Sequence, residues 1–300
     1  KATAPSPPEI FPINAERPKS TTEVNGMLYD IFGYSFDADD KLVRPDGGPY
    51  EFNDSNYDAI GELTALYVQA CLRERYGLIE RYLPEGSDLR TNIFLSHNWE
   101  TASSTGLVII QGKGQVRPGM WSRKLCINDN LKVGTCFSYI EQAQSMGLSI
   151  LILNPNLNSI ENRAIPQHST MIEHCKTVWN EYIARPPRKL LILAHSCGGI
   201  CTINLLAEFK VPFMKRVKGI AFTDSVHKDL TRLSREQLEW LAKTCVNWKA
   251  STKKLNVFMS AGRNSRNGCE NRSAGHNEHE WTSHSAFRSV WEHFRQIRGL

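Results

Sequence analysis

Residues Lys189 to Gly199 read K-L-L-I-L-A-H-S-C-G-G. A short apolar run, Leu190 to Ala194, stops at a Ser among small residues, and Gly198, Gly199, Ile200 and Cys201 follow. This is the pattern of a buried strand, a sharp turn and a helix, with Ser196 at the turn. Ala194-His195-Ser196-Cys197-Gly198 fits the G-x-S-x-G nucleophile elbow with Ala in the first Gly position. A Ser at such an elbow holds a strained backbone, and bulky residues two positions away would collide with the adjoining strand and helix. The turn pushes the hydroxyl above the sheet. The next backbone N–H, that of Cys197, lies at a helix N-terminus and is suited to stabilise an oxyanion.

A nucleophile needs an acid and a base. After Ser196 the chain contains only two Asp residues, Asp224 and Asp229. Asp224 ends the apolar run Gly219-Ile220-Ala221-Phe222-Thr223, which reads as the next strand, so it falls on the sheet edge that carries the elbow. Asp229 lies in a polar, solvated segment. The base must follow a further strand, expected at 255–261. Beyond it, His284 and His293 fall on a final helix as packing or surface residues. His276 and His279 sit in the loop G-H-N-E-H-E-W. Ser196, then Asp224, then His279 or His276 is the chain order of the α/β-hydrolases. The competing reading, a plain strand-to-helix turn with a capping Asp, does not account for that order.

From residue 93 onward, short apolar runs alternate with helical patterns. Strands are expected at 93–96, 107–110, 149–154, 190–194, 219–223 and 255–260. Helices are expected at 135–146, 170–183, 199–209, 234–245 and 285–297, the fourth opened by a Ser234/Gln237 capping box. The alternation predicts an α/β fold, α/β-hydrolase-like, whose mostly parallel sheet is covered by helices on both faces. A small hairpin and helix extension precedes it. Residues 1–28 read as a Pro-rich extended arm and 29–300 as a single domain, with 29–90 the extension and 91–300 the core. Within 29–90, short strands are expected over 29–52. A helix is expected over 57–76, with Ile60, Leu63, Tyr67 and Cys71 on its core face.

The ordered motifs beyond the elbow make the chain similar to the Arb2-domain family, whose animal members are the FAM172 cotranscriptional regulators. F-G-Y-S-F at 32–36 with L-V-R at 42–44 resembles the family's opening segment. V-I-I-Q-G-K-G at 108–114 and V-R-P-G-M-W-S-R at 116–123 resemble its H-G-x-G-V-V-R-x-G-x-W block. L-I-L-N-P-N at 151–156, F-T-D-S-V-H at 222–227, V-N-W at 246–248 and S-A-G-H-N-E-H-E-W-T-S at 273–283 continue the match. The resemblance implies that His279, which precedes Glu280-Trp281-Thr282-Ser283, is the family's His rather than His276. It also implies partners in RNA silencing, chromatin or splicing, such as Argonaute complexes.

The expected site is therefore Ser196 as nucleophile, His279 as base and then acid, and Asp224 as its orienting group. The oxyanion donors are expected in the backbone N–H groups of Cys197 and of Lys113 or Gly114, in the loop after strand 107–110. The substrate would be a small acyl compound, with no cofactor and no metal. Gln111 stands where the family pattern has His. The segment G-R-N-S-R-N-G-C-E-N-R at 262–272 reads as a polar, solvated insertion with three Arg, placed to rim the site.

The 300 residues carry a net charge of +5, spread among acids rather than gathered in a block, so direct nucleic-acid binding is not indicated. The eight Cys show no metal-ligand spacing and fit buried thiols in a reducing compartment. No stretch has the length of a transmembrane span, and the first residues are not a signal peptide. Residence in nucleus and cytoplasm is expected; a removed leader would place the chain in the endoplasmic reticulum or outside the cell. The alternative to an enzyme is an interaction scaffold built on a hydrolase fold.

Overall fold

The computed structural model describes residues 16–101, 105–186, 188–261 and 265–297. The described residues open with helix α1, Thr21–Phe32, where an arm extended as far as residue 28 was expected. Its start is a capping box: Ser20 Oγ accepts from Glu23 N, and Glu23 Oε2 accepts from Ser20 N. Gly33, at φ 74°, closes it in the left-handed conformation that a helix end favours. Residues 1–15 of the expected arm lie outside the described residues.

Strands β1, Ser35–Phe36, and β2, Leu42–Val43, form a small antiparallel hairpin. Phe36 stacks on Tyr67 at 4.4 Å, tying the hairpin to helix α2, Tyr57–Glu74. The expected stripe of α2 is core: Ile60, Leu63, Tyr67 and Cys71 are all buried. Strands β3, Ile79–Leu83, β4, Thr91–Leu95, and β5, Gly106–Ile110, follow. Next come short helices α3, Arg123–Asn128, and α4, Leu131–Gly134, and then α5, Phe137–Ser145, and β6, Ser149–Ile152. A minor hairpin pairs β7, Ser159–Ile160, with β8, Arg163–Ala164. Helix α6, Met171–Val178, runs into a π-turn, Trp179–Ile183.

Strand β9, Leu190–His195, feeds helix α7, Gly198–Arg216. The helix expected to end at 209 breaks at Lys210, where φ is 46°, just ahead of Pro212. The chain ends with β10, Val217–Thr223, α8, Arg235–Thr244, β11, Cys245–Lys249, β12, Phe258–Ser260, β13, Glu270–Ser273, α9, Thr282–Ser285, and α10, Phe287–Arg295.

The nine-stranded sheet runs in the order β12-β13-β11-β10-β9-β5-β6-β4-β3. From β6 across to β13 every pair is parallel, while β4 and β3 join antiparallel at one edge and β12 at the other. The central strands alternate between two cores. Leu107, Ile109, Leu191 and Leu193 pack with α2, α5 and α10 on one face. Val108, Ile110, Leu190 and Ile192 pack with α6, α7 and α8 on the other. Burial on both faces explains why these strands read as continuous apolar runs.

Two expectations are corrected here. The strand expected at 255–260 shrinks to β12, an edge strand whose Phe258 is exposed. The strand that leads to the His loop is instead β13, inside the segment read as a solvated insertion. Residues 262–264 of that segment lie outside the described residues, but Cys269 and Asn271 are buried. The polarity is internal: Asn247 Nδ2 donates to Asn271 Oδ1 at 3.0 Å, and the Asn267 and Asn271 amides exchange hydrogen bonds at 2.7 and 3.0 Å. Buried amides that satisfy one another replace an apolar strand pattern, so a hydropathy reading passes over β13.

Candidate active site

The site stands at the carboxyl ends of β5, β9, β10, β11 and β13. Ser196 follows β9 directly and has φ 51°, a left-handed conformation rare for a non-glycine residue. Its N–H donates to Thr223 O at 3.1 Å, and its carbonyl accepts from Val226 N at 3.3 Å, so neighbouring strand ends hold the turn. The small residues around it each have a reason. A Cβ on Gly198 would lie 2.5 Å from Ile110 O, and one on Gly112 would lie 2.9 Å from Ser196 Cβ.

Asp224 follows β10 at φ 44°. Its Oδ1 accepts from Ala250 N at 3.1 Å, and its Oδ2 meets His279 Nδ1 at 2.7 Å. Burial pushes the Asp224 carboxyl up, but the His279 hydrogen bond, the Ala250 N–H and the His279 charge together hold it below its ordinary value. The hydrogen bond to Asp224 in turn raises His279 against the lowering effect of burial. His276 is placed elsewhere: its ring stacks on Trp281 at 5.1 Å, and its Nδ1 accepts from Glu278 N. Of the two candidates, His279 is the one joined to Asp224. Asp229 accepts from Thr231 in an exposed turn, and His293 packs its ring against Trp248.

Beside this pair lies a histidine that the sequence reading left unassigned. His195, next to Ser196, lies 4.7 Å from the His279 ring, centre to centre. Its Nδ1 contacts Thr223 O at 2.9 Å; the carbonyl only accepts, so the proton is assigned to Nδ1. Thr223 Oγ1 and Ser283 Oγ complete the cluster at 2.7 Å. Burial first, and His279 second, push His195 down to about 3, so it stays uncharged beside His279. Among the described residues no hydrogen bond joins Ser196 Oγ to His279.

The backbone N–H of Cys197 opens α7 beside Ser196. In the loop after β5, the side-chain amide of Asn156 spans two residues: it donates to Gly112 O at 2.7 Å and accepts from Gly114 N at 3.1 Å. Gly114 N–H is thereby committed, which removes it from the expected oxyanion donors and leaves Lys113, between the clamped residues. Gln111 is buried, and among the described residues neither of its amide atoms has a hydrogen-bond partner.

The motif after Asp224 also has a structural task. Ser225 Oγ meets His227 Nδ1 at 2.6 Å, and His227 Nε2 donates to Asn267 O at 2.8 Å. This anchors the Asp224 turn to the segment before β13. Cys197 is partly exposed, the other seven cysteines are buried, and all eight are free. Among the described residues no helix is long and apolar enough to cross a membrane.

The strand order, with its antiparallel second strand and the crossing of β5 and β6, and the Ser elbow after β9 define an α/β-hydrolase-like protein. The model of the Arb2 domain matches residues 32–164 and 157–255, and the chain belongs to the Arb2 domain family. It is 34% identical to a FAM172 family protein homolog of Caenorhabditis elegans, over 86% of this chain and 84% of that protein. It is 32% identical to a cotranscriptional regulator ARB2A homolog of Dictyostelium discoideum, over 84% of this chain and 75% of that one. Human cotranscriptional regulator ARB2A is 26% identical, over 82% and 72%. Among solved structures, a histone deacetylase from Saccharomyces cerevisiae covers 82% of this chain with all of its own, at a TM-score of 0.55 and 13% identity, a likeness of fold.

Proposed function

We propose that the chain is a serine hydrolase acting on an ester, thioester or amide. The observation that carries this reading is the 2.7 Å bond between Asp224 and His279 at the sheet edge where Ser196 holds its left-handed turn. His279 Nε2 takes the hydroxyl proton as Ser196 Oγ bonds to the acyl carbon. The carbonyl electron pair moves onto oxygen, facing the N–H groups of Cys197 and Lys113. When the bond to the leaving group breaks, His279 returns the proton to that group. Water then attacks the acyl-serine by the same proton route, releasing the acid and restoring Ser196. Asp224 holds Nδ1–H and steadies the imidazolium. The open Ser196–His279 gap is of the kind that substrate closes, since such bonds are often long in free enzymes.

Labelling by a fluorophosphonate probe tests the reading. The folded protein should be labelled, and Ser196→Ala and His279→Ala should each abolish labelling. A folded wild type that takes no label sinks it.

The names of the relatives favour a second reading that can coexist with the first. As a cotranscriptional regulator, the chain would act in nucleus and cytoplasm by binding chromatin, splicing or Argonaute partners on its hydrolase fold. Binding of Ser196→Ala to nucleosomes and to purified Argonaute, compared with wild type, separates the two: retained binding without label makes the roles independent. Binding to neither partner by either protein counts against the second reading.

A further inference from the structure

Two of the eight cysteines meet across neighbouring strands. Val246 of β11 is the register partner of Glu270 of β13, so the residues just before them, Cys245 and Cys269, are brought side by side. Adjacent strands lie about 4.8 Å apart, within the Cα separation of roughly 4.4–6.8 Å that a disulfide spans. Both side chains enter the core shared with α6, α7 and α8, at 2% and 0% exposure, and the two thiols hydrogen-bond to each other. The Cys269 backbone is fixed as well: its carbonyl accepts from Ser265 Oγ at 2.8 Å and from Asn271 Nδ2 at 3.2 Å. The sheet thus already holds the pair at bridging distance.

The two thiols differ in chemistry. The hydrogen bond from Cys245 draws Cys269 below its ordinary value; burial opposes this, and the contact with His227 adds to it. Burial first, and the bond to Cys269 second, push Cys245 up. Cys71, Cys126 and Cys136 are also pushed up by burial, and Cys175 by its hydrogen bond to Cys201 and by burial. Cys269 is therefore the thiol poised to ionise, with a protonated thiol beside it. His227, which touches Cys269, also lines a surface groove of about 310 Å³ with Asn204, Val226 and Asp229. That places the sulfur one side chain from the surface, within reach of an oxidant little larger than water.

We propose that Cys269 and Cys245 are a peroxide-reactive dithiol that closes to an intramolecular disulfide. The Cys269 thiolate attacks one oxygen of hydrogen peroxide. The O–O bond breaks, the departing hydroxide takes up the proton the thiol released, and Cys269 carries a sulfenic acid. The Cys245 sulfur then attacks the Cys269 sulfur, the S–O bond breaks, and the Cys245 proton leaves with that hydroxide as water. Two thiols and one peroxide give one disulfide and two waters. The bridge lies against His227, whose bonds to Ser225 and Asn267 anchor the Asp224 turn. The proposal stands apart from the reading of Ser196 as nucleophile.

The test treats the folded protein with hydrogen peroxide, blocks the remaining thiols with N-ethylmaleimide in denaturant and maps the unreduced peptides by mass. A peptide pair joining Cys245 to Cys269 should form about tenfold or more faster than one joining Cys175 to Cys201. Urea-unfolded protein should lose that selectivity. Cys245→Ser, checked for folding, should keep a sulfenic acid at Cys269 that dimedone traps. No link between Cys245 and Cys269, a link no faster than that of Cys175 and Cys201, or the same selectivity in the unfolded chain overturns the proposal. A folded Cys245→Ser that dimedone leaves unlabelled at Cys269 overturns it too, and if that variant does not fold the wild-type rates decide.

Discussion

Gly199, in the first turn of α7, leaves the space that the Ser225 hydroxyl occupies: a Cβ at residue 199 would lie 1.7 Å from Ser225 Oγ and 2.7 Å from its Cβ. The second Gly of S-C-G-G is thus set by the strand that follows, not by the elbow turn. Gly199→Ala must push the Ser225–His227 turn away, and with it the adjoining Asp224. It should cost about 1–3 kcal/mol in denaturant unfolding, as overpacking of a filled site does. An unchanged midpoint would mean that the turn yields freely.

The left-handed backbone of Ser196 gives a second prediction. An L-residue in that conformation is strained by roughly 1–2 kcal/mol, from which Gly is largely free. Ser196→Gly should therefore be more stable than Ser196→Ala by about 1 kcal/mol, with both variants unlabelled by fluorophosphonate. Equal stability of the two would remove strain from the account of the elbow.

Asp224→Asn should slow fluorophosphonate labelling by roughly 10³–10⁴-fold, because the amide no longer orients Nδ1–H or steadies the imidazolium. The pH dependence has a defined sign. Reaction needs neutral His279, whose pKa lies above its ordinary 6.5, so the wild-type rate should rise with pH through a midpoint above that value. In Asp224→Asn the raising cause is gone, and the midpoint should fall.

The same pair contributes to stability within a window. The share from His279, whose folded pKa is raised, is present below the ordinary 6.5 and lost as pH climbs through the folded value. The share from Asp224, whose folded pKa is lowered, is present above the ordinary 3.8 and lost as pH falls through the folded value. The stability difference between wild type and Asp224→Asn should therefore be largest between those limits, measured by urea unfolding across pH.

Asn156→Ala removes both arms of the clamp on Gly112 and Gly114 and frees the loop that carries Lys113. Labelling should slow by about 10–100-fold at the same midpoint pH, since the proton-transfer pair is untouched. Asn156→Asp keeps an acceptor for Gly114 N but loses the donor to Gly112 O, and should fall between wild type and Asn156→Ala. A shifted midpoint in Asn156→Ala would place the residue in the His279 network instead.

Much of the molecule was legible because the central strands are buried on both faces. Continuous runs such as Leu190 to Ala194 need no partner to be recognised, and the order Ser196, Asp224, His279 follows from strand ends that share one edge. Helices with strong caps, Ser234 above all, were equally plain. The capping box of Ser20 and Glu23 obeyed the same rule but was hidden by the Pro-rich stretch before it.

What the sequence by itself determined was the class of fold, the turn at Ser196 and the place of Asp224 at the next strand end, because those depend on local periodicity and on residues adjacent to strands. The choice between His276 and His279 needed the family resemblance, and the structure joins His279 to Asp224. Only the tertiary structure decided which polar residues are internal. Asn247, Asn267 and Asn271 satisfy one another across strands, and the Asn156 amide reaches back to a loop more than forty residues earlier. His195 is held neutral by burial among groups drawn from two distant segments, 223–224 and 279–283. A hydrogen bond between distant residues leaves no period in the chain, so its partners come into view only when the sheet brings their strand ends together.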